Sequence, residues 1–347
     1  MGYRKILFIC GSINQTTMMH KISKYLGEND LFFTPYYGDG LIKKLAGAGY
    51  LDFSILGGQF RKNTLAYLRK NNLRIDLEGK TNNYDLIITC SDLVIPDNIK
   101  DKKIILVQEG MTDKENLMYY LVKWLNLPRY LASTSATGLS NRYDYFCVAS
   151  EGYREFFIKR GLDPKKLIVT GIPNFDNCRH YIFNNFPYKN YVLAATSDSR
   201  ETFKYENRKK FIEKCVEIAD GRQLIFKLHP NEYVARAEKE INKYAPGSII
   251  FSSGNINHMI ANCDALITKF STVVYIGMAL GKKVYSDFDL SQLERMVPVQ
   301  NNGASAKNIA IKARELLREK EARIYYIPKT RLAGKIRMLK KRLLKVA

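Results

Sequence analysis

The chain has 347 residues and a formal net charge of +21, from 55 Lys and Arg against 34 Asp and Glu. At roughly 100–200 residues per domain this length predicts two domains, and 46% apolar with 26% charged residues excludes a disordered or low-complexity chain. The cationic surplus favours an anionic partner such as a nucleotide, a nucleic acid or an acidic lipid surface, and it says nothing about fold.

Apolar runs of strand length alternate with helix-period segments from one end to the other. Ile6–Cys10 reads as a buried strand that breaks at Gly11-Ser12, and Thr16–Leu26 carries helical spacing. Strands follow at Asp85–Cys90, Lys103–Gln108, Tyr143–Ala149 and Leu167–Thr170, with helices at Lys114–Leu125 and Glu151–Arg160. The pattern restarts after a polar, aromatic stretch at Asn177–Lys189. Strands are then expected at Tyr191–Ala195, Gln223–Lys227, Ser248–Phe251, Ala265–Thr268 and Lys283–Ser286. Helices are expected at Phe203–Ile218, Thr272–Leu280 and Ala306–Lys320. Continuous apolar strands alternating with helices are what parallel sheets covered on both faces require. The expected organisation is an α/β chain of two doubly wound Rossmann-like domains, 1–175 and 190–327.

Residues 328–347 differ in kind. They carry eight cations (Lys329, Arg331, Lys335, Arg337, Lys340, Lys341, Arg342, Lys345) and no acid. Leu332, Ile336, Leu339 and Leu343 are spaced 4, 3 and 4, which is one stripe of a helix. The segment therefore reads as a basic amphipathic helix, either a crossover that packs on the first domain or a helix on an anionic membrane surface.

Six cysteines stand alone without a C-x-x-C pair, so neither a disulfide framework nor a zinc site is expected and a reducing cytosol fits. No run of about 18 apolar residues is present, and the short apolar run behind Met-Gly-Tyr-Arg-Lys reads as a strand rather than a signal peptide. The expected location is cytoplasmic, with a peripheral place on the inner face of the plasma membrane. His20, His180 and His258 have no partners at metal-ligand spacing and read as structural.

In a doubly wound sheet, ligands sit beyond the carboxyl ends of the strands. Three loops fall there. Lys227-Leu228-His229-Pro230 ends one strand with a cation, an imidazole and a proline that halts the ladder; a strand merely terminated by proline is the plainer account. Thr268-Lys269-Phe270-Ser271-Thr272 opens a helix with hydroxyls that could cap it or bind an anion. Gln108-Glu109-Gly110 puts a carboxylate at a strand end of the first half, where it could take a proton from a hydroxyl or simply be solvated. The turn Gly11-Ser12-Ile13-Asn14 matches no phosphate-loop pattern, and reads as a helix entry or an acceptor contact.

These residues in this order resemble the bacterial GT-B glycosyltransferases. The motif pattern is similar to that of sialyltransferases and polysialyltransferases, with capsular Kdo transferases and CDP-glycerol glycerophosphotransferases related. Thr170-Gly171-Ile172-Pro173-Asn174-Phe175-Asp176 also resembles the interdomain stretch of these enzymes and of UDP-N-acetylglucosamine 2-epimerases. The resemblance implies two domains facing a central cleft and a final amphipathic helix. It makes Glu109 the catalytic base and Ser12, Asn14, Gln108 and Gly110 acceptor-side contacts. Lys227, His229, Pro230, Thr268, Ser271 and Thr272 become the donor-nucleotide site. The implied reaction is an inverting, metal-independent sugar transfer from a nucleotide-activated donor, CMP-linked by resemblance, to a glycan or lipid-linked acceptor in bacterial surface polysaccharide synthesis. No cofactor is expected.

Two positions depart from the family pattern. Gln108 stands where a second acid is common, and Ile276 where an acid often holds the ribose. A glycerophosphotransferase or a UDP-sugar 2-epimerase shares the architecture. The former is disfavoured by Glu-Gly-Met in place of its His-Gly-Thr loop, the latter by Lys-Phe-Ser-Thr in place of Ser-Gly-Gly. Nucleic-acid binding is the reading from another class; the tail lacks the interleaved aromatics of such stripes, and no nucleic-acid partner is expected.

Overall fold

A computed structural model describes residues 3–52, 54–201, 205–269 and 271–319. The basic helix expected over 328–347 lies outside the described residues.

The chain divides into two compact units. One runs Met1–Asn174 and takes in the chain again from Ala304; the other runs Phe175–Gly303. The first contains, in order, β1 (Lys5–Cys10), α1 (Ile13–Ser23), β2 (Asp30–Pro35), α2 (Gly40–Gly47), α3 (Gly58–Lys70), β3 (Leu86–Thr89), β4 (Lys103–Val107), α4 (Leu117–Leu125), β5 (Tyr145–Val148), α5 (Glu151–Lys159) and β6 (Leu167–Val169). Its six strands pair in parallel in the order β2-β1-β3-β4-β5-β6. β1, β3 and β4 are buried over almost their whole length, which explains their unbroken apolar runs: helices cover both faces.

The second unit contains β7 (Val192–Ala195), α6 (Arg208–Ala219), β8 (Leu224–Lys227), α7 (Val234–Tyr244), β9 (Ile249–Phe251), α8 (Ile256–Asn262), β10 (Ala265–Thr268), α9 (Val273–Ala279), β11 (Lys283–Tyr285) and α10 (Leu290–Met296). Its five strands are also parallel, in the order β11-β10-β7-β8-β9. The core lies between this sheet and α6–α7, where Phe211, Ile212, Cys215, Ala237 and Ile241 meet the strand side chains Val192, Ala194, Leu224 and Phe226. α11 (Ser305–Arg318) then returns to the first unit and packs on α1.

Several elements differ from the sequence expectation for local reasons. β2 went unread because Asp30–Pro35 is an edge strand whose first three residues are only partly buried. α7 also went unread: Val234–Tyr244 is mostly charged and polar, and it buries just Ala237 and Ile241. α1 begins before Thr16 because the Ser12 hydroxyl caps it, accepting the Gln15 N–H at 3.2 Å. Asn116 and Asn207 likewise set the starts of α4 and α6, later than periodicity suggests. The stretch 175–190 is part of the second unit, held by Gln300, whose side chain bonds the Cys178 N–H and the Phe175 carbonyl. The second unit ends at Gly303 rather than 327, since α11 buries Ala306, Ile309, Ala310 and Ala313 within the first unit.

Candidate functional site

In the first sheet, chain order reverses between β1 and β3, and the second reverses between β7 and β10. A doubly wound sheet opens at such a switch point, beyond the carboxyl ends of its strands. Each unit carries its candidate residues there.

In the first unit, Ile9, Thr89 and Leu106 lie in one register row across β1, β3 and β4. Ser12 and Glu109 each follow three residues later, so the chain brings both to the same end of the sheet. Three donors meet the Glu109 carboxylate. Ser12 Oγ donates to Oε1 at 2.8 Å, Asn14 Nδ2 to Oε1 at 3.2 Å, and Gln15 Nε2 to Oε2 at 2.5 Å. A carboxylate offers about four acceptor sites, so about one remains open on Oε2.

Asn14 is itself fixed, because Asn174 Nδ2 donates to its Oδ1 at 2.6 Å, and Lys21 donates to Asn174 Oδ1 at 2.8 Å. The Gly-Ile-Pro-Asn segment thereby orients the carboxylate through two amides. Burial and then the charge of Glu109 push the nearby Cys90 thiol well above its usual range, which keeps it from acting as a thiolate.

Gln108, expected as an acceptor contact, is 1% exposed. Its amide donates to the Gly110 carbonyl at 2.8 Å and accepts the Ala149 N–H at 2.9 Å. Its work is to shape the loop that carries Glu109, and Gly110 contributes a carbonyl to that turn.

In the second unit, Thr268, Ala195 and Lys227 form one register row across β10, β7 and β8. Two strand spacings put Thr268 and Lys227 about 10 Å apart. The His229 backbone N–H is held by Thr196 Oγ1 at 3.0 Å and Glu232 Oε2 at 2.9 Å. Its ring Nδ1 accepts the Asn231 N–H at 3.2 Å, so the proton of the neutral ring sits on Nε2 and can be donated. The ring is about one-third exposed. Pro230 stands exposed in the turn beside it.

Lys227 does not present a cation at the loop. It is buried, and its ammonium donates to the carbonyls of Leu228 at 2.7 Å and Ser252 at 3.3 Å. Desolvation lowers its pKa. Ser271 and Thr272 are half-buried, and Thr272 makes no side-chain capping bond to α9. α9 has only seven residues, so its dipole adds little to anion binding. Thr268 is buried at the strand end. Ile276 is 2% exposed and belongs to the core.

A buried ionic cluster beneath these loops went unread. The Arg208 guanidinium pairs with Glu232 and lies 3.4 Å from Glu206, the side chains of both acids being 1% exposed, while Lys269 lies 3.7 Å from Glu206. Glu232 also accepts from the Thr196 hydroxyl. The signal was the acid three residues after His229, close enough to accept that residue's N–H and fix the turn.

No protein-family model matches the chain, and no curated protein matches its sequence. Solved structures do. The putative UDP-N-acetylglucosamine 2-epimerase of Listeria monocytogenes matches at TM-score 0.57 and 13% identity, over 94% of this chain and 100% of that one. S. aureus MnaA in a co-structure with UDP matches at TM-score 0.57 and 12% identity, over 92% and 100%. The UDP-GlcNAc 2-epimerase of Neisseria meningitidis, bound to UDP-GlcNAc, matches at TM-score 0.54 and 13% identity, over 90% and 100%. At such identities the likeness speaks for architecture alone. The chain has the GT-B fold of two Rossmann-like domains.

Proposed function

We propose that the protein is an inverting glycosyltransferase that moves a sugar from a nucleotide-activated donor to a hydroxyl of a glycan or lipid-linked acceptor. The observation that carries this reading is the Glu109 carboxylate, oriented by Ser12, Asn14 and Gln15 with about one acceptor site to spare. A group held in this way serves as a general base.

The acceptor hydroxyl gives its proton to Glu109, and its oxygen bonds to the anomeric carbon. The bond from that carbon to the leaving phosphate breaks, and the electron pair departs on the phosphate oxygen. His229 Nε2–H with the Ser271 and Thr272 hydroxyls donates to that phosphate and offsets the developing charge. Thr268, Pro230 and Lys227 shape the loops that present these donors. A cytidine nucleotide is the carrier that the sialyltransferase resemblance implies. The same reading puts the enzyme at the cytoplasmic face of a membrane, with 328–347 against acidic lipid.

The test is a thermal-shift screen of CMP, CDP, UDP, GDP and ADP, followed by turnover of the matching nucleotide sugar. One nucleotide raises the melting temperature by mass action, and His229→Ala and Ser271→Ala each weaken its binding by about 1–3 kcal/mol. Glu109→Gln lowers kcat by about 10²–10⁴ and leaves nucleotide affinity intact. Wild-type turnover in that variant removes Glu109 from the mechanism. Conversion of the nucleotide sugar with no acceptor present replaces the transferase by an epimerase.

A further inference from the structure

α4 is apolar on both sides. At about 100° per residue, Leu117, Met118, Tyr120, Leu121, Trp124 and Leu125 share an arc of about 160° that no charged side chain interrupts. Tyr119 and Val122 face the other way and are buried with Ala132 and Ala136. On the outward arc Leu117 is 75% exposed, Trp124 54% and Leu125 55%. Tyr130 and Leu131 are also exposed, in the helical turns Arg129–Ala136 that pack on α4, and they extend the face.

The inner side is firmly held. Arg160, buried beneath it, sits 5.1 Å over the Tyr119 ring and 4.0 Å over Phe156. It also pairs with Glu115 at 3.0 Å and donates to the Ser135 carbonyl at 2.9 Å. A helix pinned from within that leaves such a contiguous apolar surface in water marks an interaction site.

We propose that this face rests in the interfacial layer of an anionic lipid bilayer. Trp and Tyr rings with leucines between them suit the headgroup boundary, where the rings keep their polar atoms wet. Charge selects the occupant. A chain of +21 is drawn to acidic lipid and repels a second copy of itself, and exposed Lys114 and exposed Glu115 just ahead of the helix offset each other, leaving the net charge of the chain to decide. The face is built from residues 117–131, and the proposal is independent of the chemistry assigned to Glu109.

Trp124 is the sole tryptophan of the chain, so the emission of the full-length protein reports this face alone. The probes are vesicles of equal parts phosphatidylcholine and phosphatidylglycerol, and vesicles of phosphatidylcholine only. With acidic vesicles the emission shifts to the blue and is quenched by brominated acyl chains. Leu117→Glu with Leu125→Glu, at positions the fold leaves exposed, lowers vesicle affinity roughly 10–100-fold without changing the circular dichroism. Replacing Lys340, Lys341 and Arg342 by Ser weakens binding yet keeps the quenching. Co-sedimentation with unchanged Trp124 emission assigns lipid binding to the tail and overturns the proposal. So does an absence of binding to acidic vesicles, or a solution dimer that already shields Trp124 and that Leu117→Glu dissociates.

Discussion

Gln15 reaches Glu109 across Gly11, and a Cβ at position 11 would lie 2.1 Å from Gln15 Oε1. The glycine is therefore needed for space. Gly11→Ala displaces the Gln15 amide, which can swing aside because it is the far end of a flexible side chain. The expected result is a melting temperature within a few degrees of wild type and a kcat lowered about 10–100-fold, as for a catalytic group slightly misplaced. A matching loss in Gln15→Ala, with no further loss in the double variant, confirms that both act through one contact.

Glu232 is the corresponding residue in the second unit. It receives the His229 N–H, the Thr196 hydroxyl and the Arg208 guanidinium while almost fully buried. Glu232→Gln removes one of the two buried acids that face Arg208 and leaves Glu206 at 3.4 Å, a loss of about 2–3 kcal/mol, below that of a buried charge left with no partner. Urea denaturation measures it, and nucleotide affinity falls with it because the His-Pro turn loosens.

Between elements, charge pairs hold loops to helices. Arg200, in the loop after β7, donates through both terminal nitrogens to Glu240 on α7, at 2.8 and 2.9 Å. These hydrogen bonds outweigh the partial burial and hold Glu240 below the usual carboxylate range. Because the unfolded chain binds this proton more readily than the folded one, the pair stabilises fully above the ordinary Glu pKa. Its contribution fades as pH falls through the lower folded value. Glu240→Gln is expected to cost about 1 kcal/mol at neutral pH, a modest figure for a partly exposed pair. In strongly acidic buffer the variant and wild type converge. Urea midpoints across the acid range check this, and a gap that persists at the lowest pH refutes it.

At the scale of the whole molecule, the chain leaves the first unit once and comes back. α11 fills a groove on that unit with Ile309, Ala310 and Ala313, each fully buried. Arg314 donates to Glu28 at 2.6 Å, and Lys103 donates to the last carbonyls, Leu316 at 2.8 Å and Glu319 at 2.7 Å. α11 is thus a structural part of the unit that holds Glu109. Ile309→Ala removes buried methyl groups at a cost of about 2–4 kcal/mol. Hydrogen exchange is expected to quicken in α1 and β1 and to stay unchanged in β7 and β8. The opposite pattern assigns α11 to the second unit.

The alternation of apolar runs and helical spacing determined the two parallel-sheet units, because strands buried on both faces leave a continuous local signature. It also located the loops after β4, β8 and β10, since ligand-facing residues of this architecture follow strand ends. Glu109 and His229 stood out as candidates for that reason. The rest depended on which distant residues meet. Gln108 and Lys227 read as ligand contacts by composition, yet their side chains serve Gly110, Ala149, Leu228 and Ser252. The grip of Asn14 and Gln15 on Glu109, and of Glu232 on His229, joins groups whose pairing no local period encodes. β2 at the edge and α11 on the first unit were decided likewise. A partly exposed strand such as β2 carries little pattern of its own, and an amphipathic stripe such as that of α11 says that a face is buried but not against which unit.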